Sequence, residues 1–322
     1  MFVPDFLDIA SNSHGAVEKR LPIYLGLFYV VFVWGLNTVL VKIAIAHVDA
    51  LAFTALRFAT MAPLALLWVH LSGARLRFER RDWLLLLASG ACGFGIYQYF
   101  WVIGLSHTTA FASSLLGSTT PIFTMIYLVL LGWERVRSAR WIGAGIALVG
   151  VAIFEGAFAG RATFRIGDAL TILAAMTFAG FNVVSAKLAP RYHPVALLAA
   201  TLLIGTAMIL PGGIGALIAD PPSLWPPLVW YVFAFAVVFP IVLTYPVWST
   251  GIARIGAARV ALFSFLVPIV SGVLSIPMLH AHFAAHQLFG AAICLVGLAI
   301  ATLLGHLSVS EVWAQRAGDV EH

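Results

Sequence analysis

A chain of 322 residues that is 62% hydrophobic and only 10% charged is not a soluble globule, because such domains keep roughly half their residues apolar and about a quarter charged. Its net charge of +5 and mean hydropathy of +1.01 point to a protein dissolved in a bilayer and touching anionic lipid on one side. The basic balance is therefore not read as nucleic-acid affinity.

Residues 1–21 mix Asp5, Asp8 and Glu18 with scattered apolar positions. They lack the basic stretch and compact apolar core of a cleaved signal peptide and read as a cytoplasmic segment. Ten apolar runs follow, each about 20 residues and long enough to cross ~30 Å of hydrocarbon as a helix. The first half gives spans 22–45, 50–71, 83–104, 108–131 and 140–157; the second gives 168–187, 194–218, 228–252, 257–279 and 287–306. Residues 307–322 form a second cytoplasmic tail. The runs are continuous rather than alternating, which excludes barrel strands and predicts an all-α integral membrane protein with ten transmembrane helices. Cys92 and Cys294 both fall inside spans, so no structural disulfide is expected.

If the N-terminus is cytoplasmic, fourteen of the 18 Lys and Arg residues lie inside, Arg75, Arg77, Arg80 and Arg81 among them. Only Lys42, Arg161 and Arg165 lie outside, and this asymmetry places both termini in the cytoplasm of a cell with an inner membrane.

The two halves share words. Gly35, Asn37 and Lys42 meet Gly180, Asn182 and Lys187 at an offset of 145 residues. Trp101, Gly104, Pro121, Gly143 and Gly150 meet Trp248, Gly251, Pro268, Gly290 and Gly297 at an offset of 147. An odd number of spans in each half turns the second upside down relative to the first, so the fold is two inverted five-helix repeats, 22–157 and 168–306, with a binding site between them.

Together the ten spans, the five-plus-five duplication, the opening W-G-x-N word at Trp34–Asn37, the Gly104 to Pro121 stretch with its Pro268 counterpart, and the Gly132-Trp133-Glu134 turn before a Gly-rich fifth span resemble the drug/metabolite transporter superfamily, in its EamA branch. The resemblance runs from about Pro22 to Gly305. It implies export or exchange of small metabolites, amino acids and related amphiphiles among them, through a central cavity. The second half departs at Leu279-His280-Ala281-His282, so any role the family gives the acidic turn carries over to Glu134 alone.

The polar residues inside spans are the candidate substrate contacts. An amide left unpaired in hydrocarbon costs a few kcal/mol, so Asn37 and Asn182 either line the cavity or bond helix to helix. Tyr97 and Gln98 in span 3 align with Thr244 and Tyr245 in span 8, where hydroxyls and an amide beside aromatic faces suit an amphiphilic ligand. Trp34, Phe94 and Phe178 complete that set. Trp101 and Trp248, close to span ends, are expected in an interfacial belt. Pro121, Pro240, Pro246 and Pro268 interrupt helix hydrogen bonding and are the candidate gating positions. Gly143, Gly145, Gly150, Gly290 and Gly297 are expected to pack spans 5 and 10 into a static back.

Two charges in spans need weighing. Arg57 is expected to snorkel or pair near the outer end of span 2, with an anion contact as the alternative. Glu155, near the end of span 5, is a candidate proton-coupling carboxylate, against an interfacial reading. A proton or a counter-substrate is the expected coupling partner. His280, His282 and His286 match no standard zinc spacing, so no metal and no cofactor is expected. The alternatives to a transporter are an intramembrane enzyme, for which no catalytic motif appears, and a receptor or structural protein.

Overall fold

The computed structural model describes residues 6–133, 138–154 and 165–303. They form ten helical runs: α1 Phe6–Ala44, α2 Ala50–Leu71, α3 Arg80–Ser106, α4 Ala110–Leu130, α5 Ser138–Phe154, α6 Ile166–Leu188, α7 Pro194–Ala219, α8 Pro227–Ile255, α9 Arg259–Leu279 and α10 Ala285–Leu303. Eight are long and apolar enough to cross a membrane, while α5 and α10 are apolar over the shorter stretches Trp141–Phe154 and Ala285–Gly297. Two sets of five make the chain an all-α membrane protein of inverted repeats. The α1 helix starts at Phe6, upstream of the expected span, and passes through Pro22 without ending. Other limits lie within about one turn of those expected from the apolar runs.

Short polar side chains start the helices where apolar sequence alone cannot. The Asp49 carboxylate accepts from the N–H groups of Leu51 and Ala52, both at 2.8 Å, satisfying two orphan donors at the head of α2. Thr109 does the same for Ala112 at 3.1 Å in α4, and Pro194 and Pro227 supply a preset φ at the heads of α7 and α8. The turn from α8 to α9 rests on Gly256 at φ 90°, a conformation that a Cβ would strain.

Four spans are interrupted, and the interruptions come in repeat-related pairs. A π-turn at Ala91–Gly95 in α3 is matched, 147 positions on, by one at Val238–Leu243 in α8 that contains Pro240. In α4 the helix breaks at Ser118–Thr119 and restarts with Pro121 in its first turn; in α9 a tighter turn at Leu262–Leu266 precedes Pro268. Proline brings no N–H to bond the preceding turn. The Thr120 hydroxyl takes over, donating to the Gly117 carbonyl at 2.7 Å, while the Ser118 and Thr119 hydroxyls add bonds at 2.6 Å each to the Leu115 and Leu116 carbonyls that their own N–H groups reach at 3.1 Å. Buried backbone carbonyls at the break thus keep partners in a medium without water.

The α5–α10 pair is packed backbone to backbone. A Cβ on Gly150 would lie 2.2 Å from the Cys294 nitrogen, and one on Gly297 would lie 2.3 Å from the Ala147 nitrogen. Gly290 is as close to Phe154, but Gly145 faces open space and takes no part. Close approach by small residues substitutes for the hydrophobic effect, which lipid does not supply between helices.

Polar contacts join the two repeats at both ends. At the end holding Arg75–Arg81, Arg191 Nη1 meets Asp82 Oδ2 at 2.8 Å, and the Tyr192 hydroxyl donates to the same carboxylate. At the opposite end the Thr108 hydroxyl donates to Asp168, and the Asp49 N–H donates to Asp220.

Candidate functional site

A cavity opens between the repeats, in the half of the bundle away from the Arg75–Arg81 loop. Of the residues expected to touch substrate, Trp34, Asn37, Tyr97, Gln98, Phe178 and Tyr245 stand on its wall. The α1 and α8 helices are joined there by the Trp34 indole, whose Nε1–H reaches the Pro240 carbonyl at 2.9 Å and Thr244 Oγ1 at 3.0 Å. The unwound backbone of α8 is therefore held by a side chain of the other repeat.

Rings close the cavity toward the basic end. Trp34 lies 4.7 Å from Trp248 and 5.7 Å from both Phe178 and Tyr245; Tyr97 lies 5.0 Å from Phe178, and Phe94 lies 4.5 Å from Tyr245. Such tilted and edge-on pairs each add about 0.5 to 1.5 kcal/mol beyond area burial. The plug is consequently firm without a salt bridge in it.

Arg57 does not snorkel. It is 1% exposed, lies on the cavity wall, and donates from Nη2 to Gln98 Oε1 at 2.9 Å. Its charge sits 5.7 to 6.0 Å from the ring centres of Phe53, Phe58 and Trp101. The snorkelling expectation fails because the stretch of α2 around Arg57 is enclosed: Phe53, Phe58 and Met61 beside it are wholly buried, so no short path leads to an interface. Placing arginine at mid-bilayer costs about 2.5 to 3.5 kcal/mol on insertion scales, and a cation–π contact returns about 0.5 to 2. Nε and Nη1 nevertheless have no partner in the protein, nor do Asn37 Oδ1 and Ser113 Oγ.

Three expected contacts stand behind the wall. Phe94 is buried in the ring cluster, with its Cβ against Gly205. Thr244 donates to the Pro240 carbonyl at 2.6 Å and accepts from Trp34, serving the π-turn. Asn182 is fully buried and accepts from Trp248 Nε1 at 3.0 Å, which makes it a helix-to-helix bond. Trp248 itself is buried and Trp101 lines the cavity, so neither belongs to a belt; among the described residues Trp83, Trp133, Trp141 and Trp230 are the exposed tryptophans.

Of the candidate gating prolines, Pro240 lines the cavity at its π-turn, Pro121 and Pro268 restart the broken spans, and Pro246 lies in the first turn after the α8 π-turn. Glu155 and Glu134 lie outside the described residues. Sequence reasoning missed the hydroxyls of α4, where Ser113, Ser114, Ser118 and Thr120 face the cavity. The run Gly117-Ser118-Thr119-Thr120-Pro121 was the available signal, because it is too polar for a lipid-facing helix and ends in a helix breaker.

A second cavity lies near Lys42, Gln287 and His282. Lys42 Nζ donates to the Leu105 and Ser106 carbonyls at 2.7 and 3.3 Å, so its charge caps the C-terminus of α3. Among the described residues no three His, Cys, Asp or Glu side chains are grouped as metal ligands.

Comparison with known proteins supports the architecture. A probable amino-acid metabolite efflux pump of Salmonella typhimurium is 27% identical over 285 residues, covering 84% of this chain and 91% of its own. An uncharacterized transporter of Archaeoglobus fulgidus is 22% identical over 286 residues, covering 88% of this chain and 98% of its own. A solved crystal structure shares the fold at a TM-score of 0.66 and 21% identity, covering 88% of this chain and 98% of that one. The profile of the EamA-like transporter family matches twice, at residues 21–155 and 165–303, so that each repeat answers to it separately. This chain belongs to the EamA-like transporter family and is a membrane transporter.

Proposed function

We propose that the chain is a secondary transporter of the cytoplasmic membrane that exports or exchanges small amphiphilic metabolites, amino acids and related compounds among them, by alternating access. The observation that carries this reading is the inter-repeat cavity, where aromatic walls surround buried polar atoms without protein partners, Asn37 Oδ1 and Ser113 Oγ. Atoms of that kind are stabilised when a ligand replaces the water they would otherwise need. Trp34, Asn37, Tyr97, Gln98, Phe178 and Tyr245 are the proposed contacts, and the paired interruptions at Pro240, Pro121 and Pro268 the proposed bending points. The curated relative from Salmonella typhimurium, an efflux pump by name, supports both direction and cargo class.

In this reading both termini and the Arg75–Arg81 loop are cytoplasmic, and the cavity half of the bundle faces outward. The Asp82–Arg191–Tyr192 contact is then the closed cytoplasmic gate. The α5–α10 back stays fixed while the interrupted helices rock about the ring plug. We read the chain as a carrier rather than an intramembrane enzyme or receptor, since duplicated backbone breaks serve two-sided access and serve neither rival.

Counterflow of a panel of radiolabelled amino acids and their hydroxy-acid analogues into proteoliposomes tests the proposal. Saturable, counter-substrate-dependent uptake of at least one compound is expected. Uptake no faster than in empty liposomes across the panel would reject it. Orientation is tested separately by single-cysteine labelling with an impermeant reagent, which should reach His282 but not Arg77 from outside intact cells.

A further inference from the structure

We propose that Arg57 is an anion anchor and that the cargo is a small carboxylate, with an apolar body and a hydroxyl or amino donor beside the acid group. This rests on the cavity being the cargo site and adds the charge the cargo must bring. Arg57 is buried on the wall, spends one N–H on Gln98, and keeps Nε and Nη1 unpartnered. Among the residues lining the cavity there is no Asp or Glu to neutralise it and no second Lys or Arg. The nearby rings of Phe53, Phe58 and Trp101 stabilise a cation but accept no N–H in its plane. One uncompensated positive charge with free planar donors matches a carboxylate, which guanidinium binds through paired N–H groups. A phosphate dianion would leave the cavity with excess negative charge, and a cationic drug would add to the unpaired positive charge. Asn37 Oδ1 and Ser113 Oγ are free to accept from the second polar group, while Trp34, Tyr97 and Phe178 take the apolar body.

The test uses the purified full chain in liposomes and three probes of one shape: phenyllactate, phenylalanine, and phenylalaninamide, in which the carboxylate is gone. Binding is read from tryptophan fluorescence, because Trp34 and Trp101 line the cavity. The two carboxylates are expected to bind at least about tenfold more tightly than the amide, and Arg57→Gln to weaken them about ten- to hundredfold with little change for the amide. Because Arg57→Gln also removes a buried hydrogen bond, Gln98→Glu is the second variant. It sets a carboxylate at the position 2.9 Å from Nη2, neutralises Arg57 in place, and is expected to fold normally yet lose carboxylate binding to the same degree. Equal affinity for the amide, no carboxylate binding by the parent, or unchanged carboxylate affinity in Gln98→Glu would overturn the anchor. Carboxylate counterflow that persists in Arg57→Gln sinks the anchor and leaves the carrier reading standing. Arg57-dependent binding with no counterflow of any probe does the reverse.

Discussion

The two repeats agree in backbone and disagree in side chains. Their π-turns, their restarts at Pro121 and Pro268, and their mutual glycine contacts between α5 and α10 all recur at one offset. Much of the polar chemistry of the cavity does not recur. Ser113, Ser114 and Ser118 on the wall correspond to Val260, Ala261 and Phe265, and α7, the partner of α2, has no charged residue to match Arg57. Asn37 stands on the cavity wall with a free oxygen, whereas its twin Asn182 stands behind the wall with its oxygen tied to Trp248 and only its amide nitrogen unpartnered. Both halves must bend alike for a site to be opened from either side, but one cargo needs only one set of polar contacts. Duplication thus preserves the backbone breaks, while most of the polar groups proposed to meet the cargo belong to the first repeat.

The largest effects should fall where the repeats agree. Gly150→Leu and Gly297→Leu would each drive a side chain into backbone about 2 Å away, so both should cost about 3 kcal/mol and to a similar extent. Gly145→Leu, facing open space, should change stability by less than about 0.5 kcal/mol. Thermal unfolding in detergent compares all three, and a large difference between the first two would break the symmetry argument.

The asparagine twins sharpen it. Asn182→Leu strands the Trp248 N–H and should lower stability by about 1 to 3 kcal/mol, whereas Asn37→Leu should leave melting nearly unchanged. In counterflow the order reverses, with Asn37→Leu weakening apparent affinity about five- to hundredfold if a cargo donor loses that acceptor. Matching effects of the two variants in both assays would mean that the halves share recognition after all.

Smaller is the effect of Trp34→Phe, which keeps the ring but removes the N–H held by Pro240 and Thr244. Losing one such bond, about 1 kcal/mol, should speed hydrogen exchange of the Val238–Leu243 amides about fivefold while the matched Ala91–Gly95 amides stay as they were. Smallest of all, Glu155→Gln should leave downhill counterflow at the parental rate, and its abolition in a well-inserted protein would show proton coupling.

Most of the fold was legible because bilayer thickness sets helix length and the repeat words set the architecture. The breaks in α4 and α9 were only half legible: Pro121 and Pro268 marked them, but which carbonyls lose partners depends on the backbone path. At the site, residue type indicated polarity and depth but not direction. Asn37 and Asn182 look alike in sequence and differ because Trp248 lies within reach of one. Arg57 was misjudged because snorkelling depends on what packs around its stretch of α2, where Phe53, Phe58 and Met61 become buried with it only after the helices assemble.

The central claim, that cargo crosses against the first repeat's polar wall, is tested most directly by alkylation. In a background with Cys92 and Cys294 replaced by alanine, Ser113→Cys and its repeat counterpart Val260→Cys are treated with N-ethylmaleimide in proteoliposomes, and counterflow of the best-carried panel compound is followed. Ser113 is buried on the cavity wall and Val260 in the core, so the account predicts modification and loss of counterflow at the first and continued transport at the second. Full modification at position 113 with transport intact would contradict it.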